Sequence, residues 1–417
     1  MSPSVPNIAL LGSGTFAKAS YLPAILSLQG KVLNLHTIWS RSEATAGSLL
    51  STAQELQSTS HSDSSTFSPT LKHGPEGLEA VLSDKDVEGV MIVLPITAQP
   101  EIVRKALKAG KHVISEKPLA KDVKDALALV EEYEREYKPK GLIWRVAENY
   151  SHEPVLREAG KVFSSTPGLG PVLFWQLKFE AYVEDGSKYH KTGWRTIPDY
   201  QGGFLLDGGV HWTALLRVVL PATARPSSLI GFSALHRTHL LPHDTLQAIS
   251  LPPNSSTTDS HGPKTKLTTA ETTESQIPTS IGQSSPRGQI HFSFAASDIP
   301  VEKKQPNGIS ITCLNGVVNL ISNNKTRNWE LEVVPAKLQG EISHVEPIRK
   351  EGPMEGVEVE IDHFAQAISS LKQGKDIKDL EKSDYGKPRD ALWDLAVLEA
   401  MLNSNGKEIS VDKLIGN

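Results

Sequence analysis

Cysteine is almost absent from this sequence, and a basic N-terminus and long apolar runs are missing. Cys313 is the only cysteine among 417 residues, so no disulfide can form within the chain, which fits a reducing compartment. The N-terminal residues MSPSVPNIALLGSG lack the basic region of a signal peptide. No run approaches the ~20 apolar residues that are needed to span a bilayer. These absences predict a cytoplasmic protein that does not enter a membrane.

Positive charge is not in excess either. The chain carries 43 Lys and Arg against 48 Asp and Glu, a formal net charge of -5, and shows no basic stripe. This balance argues against nucleic acid as the main partner. The histidines have no metal-ligand spacing, and neither a Cys/His cluster nor an HExxH motif occurs, so we expect no bound metal.

The length of the chain, 417 residues, exceeds what one hydrophobic core usually spans, so two domains are expected. Strand-like and helix-like stretches alternate in the first third, which predicts an α/β domain with a doubly wound parallel sheet over residues 1–148. The segment 15–29 has helical spacing, and we expect Pro23 to kink it. The predicted strands are 7–11, 32–40, 87–95, 112–115 and 142–148, and the predicted helices include 99–111 and 121–136.

The pattern changes after about residue 150. Short strands joined by turn signals such as Asn315-Gly316 predict an α+β domain over residues 149–417 with a mostly antiparallel sheet. The segment 251–288 is rich in Ser, Thr and Pro and cannot bury enough apolar surface to offset its chain entropy, so we expect a disordered insertion. It would be a tolerated surface loop or a regulatory segment. The predicted strands are 172–182, 228–237, 244–251, 288–295, 309–313, 316–322 and 329–334, and the predicted helices are 153–163, 361–373 and 388–404.

A glycine-rich turn follows the first strand. The residues LLGSGTFAKA contain Gly12-x-Gly14-x-x-Ala17 directly before a predicted helix. Gly12 permits a tight turn, Gly14 lets the backbone approach a pyrophosphate, and Ala17 allows close helix–sheet packing, so phosphate would meet the helix N-terminus. A plain glycine turn also fits this motif, but its place in the first βαβ unit favours dinucleotide binding. The residues of this turn that we assign to the cofactor are Gly12, Ser13, Gly14, Thr15, Phe16 and Ala17.

The end of the second predicted strand indicates which dinucleotide is bound. An NAD site usually has an acidic residue there, which accepts hydrogen bonds from the ribose hydroxyls. This chain has Ser40, Arg41 and Ser42 instead. Arginine pairs with a 2′-phosphate and stacks on adenine, so we assign Ser40 and Arg41 to the cofactor and favour NADP over NAD. The alternative is a solvated Arg41, with Glu43 serving the ribose.

Four motifs together resemble the Gfo/Idh/MocA oxidoreductase family, especially its fungal NADP-dependent members. They are GxGxxA at 12–17, ALKAGKHVISEKPLA at 106–120, AENY at 147–150 and WRTIPDYQGGFLLDGGVHW at 194–212. The second and fourth motifs are long and specific, and the resemblance covers both domains apart from the insertion. It implies a Rossmann domain followed by an α+β domain with a large open sheet, and an active site between them. It also implies association through that sheet into a homo-oligomer.

The resemblance further implies a catalytic group of one lysine, one aspartate and one histidine. Lys117 matches the lysine of the family's EKP motif, and Asp207 and His211 match its D-x-x-x-H element. Gln99 stands where many members have histidine, so no role is carried over to it. The remaining residues that we assign to the cofactor are Leu94, Pro95, Glu116 and Lys117.

Lys117 follows the short apolar run HVIS and Glu116, and precedes Pro118. A proline restricts the residue before it to extended conformations, which would hold the ammonium group at a defined place. The carboxyl end of a parallel strand is where doubly wound sheets bind ligands. An ammonium group there can donate to a substrate oxygen and stabilise a developing alkoxide. The alternative is a charged strand end with no chemical role.

Asp207 and His211 are four residues apart and would share one face of a helix that starts near residue 207. A carboxylate beside an imidazole fixes its tautomer and raises its pKa, so His211 would take or return the substrate proton. Gly208 and Gly209 would leave room for substrate close to the backbone. The alternatives are a core position for His211, since apolar residues continue its stripe, and an N-cap role for Asp207.

Two further pairs, together with His211, are assigned to the substrate. Asn149 and Tyr150 lie where the chain passes between the two expected domains, a common location for ligand contacts. The alternative for this pair is a hinge held by its own hydrogen bonds. Trp194 and Arg195 precede the helix of Asp207, and Arg195 would either clamp a substrate oxygen or brace its loop.

These residues predict an NADP-dependent oxidoreductase that transfers a hydride between the nicotinamide and a hydroxyl or carbonyl carbon of a small polyol, sugar or related molecule. One alternative is reduction of a C=C or C=N bond, as in relatives that resemble biliverdin reductase. Another is a non-catalytic dinucleotide-binding sensor or scaffold. The complete set of Lys117, Asp207 and His211 argues against a sensor, which has no need of all three.

Overall fold

A computed structural model describes residues 5–59, 68–251, 286–338, 341–342, 345–382 and 384–416. The predicted insertion at 251–288 lies almost entirely outside these residues. The chain divides into two compact units, and neither is one continuous segment. The first unit comprises Met1–Glu153, Gly186–Gln201 and Glu355–Leu395, and the second comprises Pro154–Asp185, Gly202–Met354 and Ala396–Asn417. The chain first leaves the first unit five residues after the expected boundary at 148, and two later segments return to it.

The first unit contains a six-stranded parallel sheet with the order β3-β2-β1-β4-β5-β6, so the expected doubly wound fold is confirmed. The order reverses between β1 and β4, which is where such sheets bind ligands outside the carboxyl ends of their strands. Its strands are β1 (Asn7–Leu11), β2 (Asn34–Ser40), β3 (Thr70–His73), β4 (Gly89–Ile92), β5 (His112–Glu116) and β6 (Trp144–Ala147). Numbered along the whole chain, its helices are α1 (Leu22–Leu28), α2 (Glu43–Thr59), α3 (Gly74–Ser83), α4 (Gln99–Lys108), α5 (Val123–Glu132), α7 (Gly193–Thr196), α9 (Gly356–Lys372) and α10 (Ile377–Glu381).

The core of the first unit includes a helix from far along the chain. Strand β4 is buried at every position, as expected for a parallel sheet that is covered on both faces. Helix α9 packs against α1, and its residues Phe364 and Ile368 lie in the same apolar cluster as Ile8 and Ile25. The Rossmann-like unit is therefore completed by residues that follow most of the second unit in sequence.

The helical segment after the glycine turn contains one irregular turn, which lies just before Pro23. A π-helical turn runs over Ala17–Tyr21, where the N–H of Leu22 donates to the carbonyl of Ala17. Pro23 comes two residues after this turn, inside a helical segment that continues without a break over residues 15–28. A proline inside a helix removes one hydrogen bond and crowds the preceding turn, which is where the π turn lies, and the expected kink at Pro23 stays a prediction.

The second unit is built on a nine-stranded sheet with the order β16-β13-β12-β11-β7-β10-β9-β8-β17. All of its neighbours pair antiparallel except β7 and β10, which are parallel, so the expected α+β fold is confirmed. Its strands are β7 (Val172–Glu180), β8 (Ser228–Ala234), β9 (Thr245–Leu251), β10 (Arg287–Ser293), β11 (Asn307–Cys313), β12 (Gly316–Asn323), β13 (Asn328–Pro335), β16 (Ile348–Pro353) and β17 (Ile409–Ser410); β14 (Lys337–Leu338) and β15 (Glu341–Ile342) form a separate pair. Its helices are α6 (Pro154–Ser165), α8 (Gly203–Val219) and α12 (Val411–Leu414), and α11 (Pro388–Ser404) has residues in both units.

Candidate active site

The glycine turn joins β1 to the first helical turn. Gly12 has a φ of +125°, and a Cβ there would overlap the carbonyl oxygen of Val93, so the position requires glycine. The N–H of Gly12 donates to the carbonyl of Trp39 at 2.9 Å, which ties the turn to β2. Gly14 is exposed, and a Cβ on it would have no heavy atom within 4 Å. This open space at the start of the helical segment fits the close approach of a pyrophosphate.

Ser40 is the last residue of β2 and is buried. Its Oγ lies 2.7 Å from Oγ of Ser13 in the glycine turn and 2.7 Å from Oγ1 of Thr45 in α2. Arg41 and Glu43 follow it, and both are exposed. Both candidates for the ribose and its 2′ substituent are therefore open to solvent at this strand end, and the choice of Arg41 stays a prediction.

The segment after β4 leads through Leu94 and Pro95 and a short 3₁₀ turn into α4. Gln99 is the first residue of α4 and is 1% exposed. Neither its amide nitrogen nor its amide oxygen has a hydrogen-bond partner among the described residues. A buried polar group without a partner costs about 1–3 kcal/mol. A polar group of a ligand bound at this strand end would satisfy it.

Glu116 ends β5, and Lys117 leaves the sheet directly after it. Glu116 is buried and Lys117 is half-buried, and the peptide bond between Lys117 and Pro118 is cis. Because β1, β4 and β5 are neighbours and parallel, their carboxyl ends meet at one edge of the sheet. The predicted cofactor residues of the glycine turn, of the segment after β4 and of the end of β5 are therefore brought together along that edge.

The turn after β6 is built around two buried glutamates. Oε1 of Glu148 accepts a hydrogen bond from the N–H of Tyr150 at 3.1 Å and caps the 3₁₀ turn Asn149–Ser151. Burial, followed by the charges of Glu148 and Glu153, raises the pKa of the half-buried Tyr150, which therefore stays a neutral donor. Oε2 of Glu153 accepts a hydrogen bond from the N–H of Glu355 at 3.0 Å, at the start of α9. These bonds fix the turn within the first unit.

Four glutamates in the first unit form a buried carboxyl cluster that the sequence analysis missed. Glu116, Glu148, Glu153 and Glu360 are 7%, 2%, 1% and 2% exposed. Burial raises the pKa of Glu360 well above its usual value, and the charges of the other three raise it further, while Lys117 opposes them. Burial also raises the pKa of Glu153 to about 7. Lys117, the proposed catalytic lysine, therefore lies near carboxyl groups whose charges affect one another's pKa.

Trp194 and Arg195 lie in α7, in a segment that belongs to the first unit. The guanidinium carbon of Arg195 lies 3.8 Å from the centroid of the Trp194 ring, and Nη1 of Arg195 donates to Oγ1 of Thr192 at 3.1 Å. The Trp194 ring lies 6.5 Å from the ring of Tyr200. These contacts brace the loop, and the assignment of both residues to the substrate stays a prediction.

Asp207 and His211 lie on α8 in the second unit. The helix begins at Gly203 with Gly202 as its N-cap, so Asp207 is the fifth helical residue and an N-cap role for it is wrong. Asp207 is buried, whereas His211 is half-buried and does not occupy the fully buried core position considered for it. Their four-residue spacing places both side chains on one face of the helix.

Gly208 and Gly209 serve packing within the second unit. A Cβ on Gly208 would overlap the ring of Phe294, and one on Gly209 would lie 3.3 Å from the side chain of Leu398. The expectation that both glycines leave room for substrate is therefore wrong, because protein side chains already fill that space.

The fold of the first unit and its glycine turn define an NAD(P)-binding Rossmann fold. Residues 6–139 match the family described as "Oxidoreductase family, NAD-binding Rossmann fold". Dehydrogenase FPY6 of Fusarium mangiferae is 39% identical over 244 residues, which are 58% of this chain and 66% of that protein. The match therefore spans just under two thirds of the length of that relative.

Solved structures share the fold of the described residues. An oxidoreductase from Thermotoga maritima has a TM-score of 0.71 and 23% identity over 99% of this chain and 100% of that one. A levoglucosan dehydrogenase in complex with NADH and levoglucosan has a TM-score of 0.67 and 17% identity over 97% of this chain and 99% of that one. Residues 6–139 of this chain thus match the Gfo/Idh/MocA oxidoreductase family, which its motifs resemble.

Two features are absent from the described residues. None of their helices is long and apolar enough to cross a membrane. Within the same residues, no three or more His, Cys, Asp or Glu side chains are grouped so that they could hold a metal ion. The expectation that the protein binds no metal stays a prediction.

Proposed function

We propose that this chain is an NADP-dependent oxidoreductase that transfers a hydride between the nicotinamide and a hydroxyl or carbonyl carbon of a small polyol, sugar or related molecule. The observation that carries the proposal is the shared sheet edge, where the glycine turn follows β1 and Lys117 follows β5. Dinucleotide and substrate bind along such an edge in doubly wound sheets. A relative that is 29% identical over 142 residues is named D-xylose 1-dehydrogenase (NADP(+)) 2, from Haloferax volcanii, which supports a sugar-like substrate.

The preference for NADP rests on the end of β2. Arg41 is exposed there, directly after the buried Ser40 that is bonded to the glycine turn. A guanidinium group at this place would pair with the 2′-phosphate, which NAD lacks. The levoglucosan dehydrogenase described above holds NADH, so both cofactors occur on this fold and the side chain at this position would make the choice.

The proposed catalytic roles follow from the chemistry of the three side chains. When bound, the nicotinamide supplies the hydride acceptor or donor. Lys117 would donate from its ammonium group to the reacting oxygen and stabilise the negative charge that develops there. His211 would take the hydroxyl proton during oxidation and return it during reduction, and Asp207 would hold the imidazole in one tautomer. The joint action of Lys117 with the α8 pair is what the family resemblance implies.

A substrate panel with either cofactor tests the proposal. We expect turnover of a polyol or sugar with NADP and a fall in kcat of about 10²–10⁴ for Lys117→Met, because the variant keeps the bulk of the stem but loses the charge and the donor. Cofactor affinity should change far less, and Lys124→Met, an exposed lysine on α5, is the matched control. A Lys117→Met enzyme with the kcat of the wild type would contradict the assignment. His211→Ala should give a loss of similar size that depends on pH.

The same panel separates the alternatives. Turnover confined to C=C or C=N substrates would support the second enzyme class. Cofactor binding, followed by fluorescence, without turnover of any substrate would support a sensor or scaffold.

A homo-oligomer formed through the nine-stranded sheet is also proposed. Side chains on one face of the sheet are buried and those on the other face are exposed along β7, β8 and β9. The outer face carries large apolar side chains, since Phe174, Phe232 and Ile249 are 49%, 62% and 50% exposed. Apolar surface of this kind supports association of two copies.

A cytoplasmic location is proposed for the protein, with a small molecule rather than nucleic acid as its main partner. The single cysteine and the net charge of -5 support both statements. Fluorescence microscopy of the tagged full chain would test the location.

A further inference from the structure

Glu360 is an unusual residue for the interior of a helix. It lies on α9, is 2% exposed, and its Oε2 has no hydrogen-bond partner among the described residues. Helix α9 packs against α1, the π-helical turn, β6 and the 3₁₀ turn after β6. The carboxyl group is therefore almost wholly enclosed by protein, so little solvent reaches it to stabilise a charge.

The groups that face Glu360 are mostly acids. Glu116 comes from the end of β5, and Glu148 and Glu153 flank the turn after β6; all three are more than nine-tenths buried. Lys117 is the cation whose charge opposes theirs. Four carboxylates that share one buried space repel one another and lack hydration, so they cannot all be ionised together.

Tyr21 closes the cluster from the π-helical turn. Its ring is fully buried, and its pKa is raised well above the usual value by burial, then by the charges of Glu116 and Glu360. The hydroxyl therefore stays neutral, and it has no hydrogen-bond partner among the described residues. Because Tyr21 is uncharged, Lys117 is the group whose positive charge favours an ionised carboxylate in the cluster.

We propose that Glu360 keeps its proton at neutral pH and acts as a positioning residue for Lys117. As a neutral group, Glu360 leaves Glu116 as the carboxylate beside Lys117 and does not draw the ammonium group toward α9. The residue acts through Lys117 and Glu116 and touches neither substrate nor cofactor in this proposal. The inference about Lys117 rests on the proposed function, whereas the protonation of Glu360 does not.

Infrared spectroscopy tests the protonation directly in the full chain without cofactor or substrate. At pH 8 the wild type should show the C=O stretch of a protonated carboxyl group, and Glu360→Gln should remove that signal. Glu358→Gln is the matched control, because Glu358 is exposed on the same helix, and the signal should persist in it. A wild-type spectrum without the protonated signal, or a signal that Glu360→Gln leaves in place, overturns the proposal even if no substrate is ever found.

Kinetics with a turned-over substrate test the positioning role. Glu360→Ala should lower kcat by about 10–100-fold, since a small displacement of a catalytic group has effects of that size. Glu360→Gln, which retains a neutral head group of the same shape, should restore most of the loss and move the alkaline limb of the kcat/KM profile to higher pH. If Glu360→Gln is as impaired as Glu360→Ala, an ionised Glu360 is required and the proposal is overturned.

Discussion

Glu153 offers the most direct test of the electrostatics in the first unit. Its carboxyl group is 1% exposed and accepts hydrogen bonds from the backbone N–H groups of Glu355 and Gly356, at the start of α9. Burial nevertheless dominates and raises its pKa from 4.5 to about 7. The carboxyl group that anchors α9 therefore keeps its proton up to a pH of about 7.

The direction and size of the effect follow from proton linkage. Because the pKa is higher in the folded state, folded protein binds more protons than unfolded protein between pH 4.5 and about 7. The free energy of unfolding should therefore fall as the pH rises through this window. At about 1.4 kcal/mol for each unit of difference in pKa, the contribution of Glu153 amounts to about 3 kcal/mol.

The perturbation is Glu153→Gln, which keeps an acceptor for a backbone N–H but cannot ionise. At pH 8 the variant should be more stable than the wild type by about 2 kcal/mol, allowing about 1 kcal/mol for a weaker hydrogen bond. At pH 4.5 the wild type should equal or slightly exceed the variant.

Urea unfolding at both pH values, followed by tryptophan fluorescence, measures these differences. Glu358→Gln, which removes one negative charge at an exposed position of α9, is the control for the change in net charge. A Glu153→Gln variant that is destabilised equally at pH 4.5 and pH 8 would refute the reasoning.

Three further predictions concern the cofactor and the assembly. Arg41→Ala should lower NADP affinity roughly tenfold or more in a fluorescence titration, since a charged contact contributes about 1.5–3 kcal/mol, and should leave NAD affinity almost unchanged; equal loss of both cofactors would contradict the role of Arg41. Gln99→Leu should raise the stability of the free protein by about 1–3 kcal/mol, because it removes a buried amide without partners. It should also weaken cofactor binding, and a destabilised Gln99→Leu protein would show that the amide is satisfied in solution. Phe232→Asp should shift the protein to smaller species in sedimentation velocity if the exposed sheet face is an interface, and an unchanged distribution would exclude this face.

The parts of the fold that could be predicted are those with a clear apolar pattern. The buried strands β1, β4 and β5 are apolar runs, and the strands of the second unit alternate between buried and open positions. Strand β3 and strand β16 were missed, and each lies at an edge of its sheet. β3 reads TLKH and β16 reads IRKEGP, and neither has a fully buried position. Edge strands carry charge to prevent further pairing, so they lack the pattern that identifies a strand.

The residues of the candidate site could be predicted where they belong to short sequence motifs. The glycine turn and the Glu116–Lys117 strand end were found because each requirement is local. Glu360 was missed because its burial depends on β5, on the turn after β6 and on a helix more than 200 residues away in sequence. One local signal existed: Glu360 lies four residues before the buried Phe364, and so on the buried stripe of its helix.

The discontinuity of the first unit has a consequence for how the protein is made. Its core needs Phe364 and Ile368, yet the chain leaves this unit after Glu153, and the segment that carries these two residues begins only at Glu355. A ribosome adds about 5–20 residues per second, so the missing helix emerges on the order of tens of seconds after the strands it covers. During that interval the nascent chain displays the apolar surface around Ile8 and Ile25. Newly synthesised chains should therefore depend on chaperones until α9 has been released.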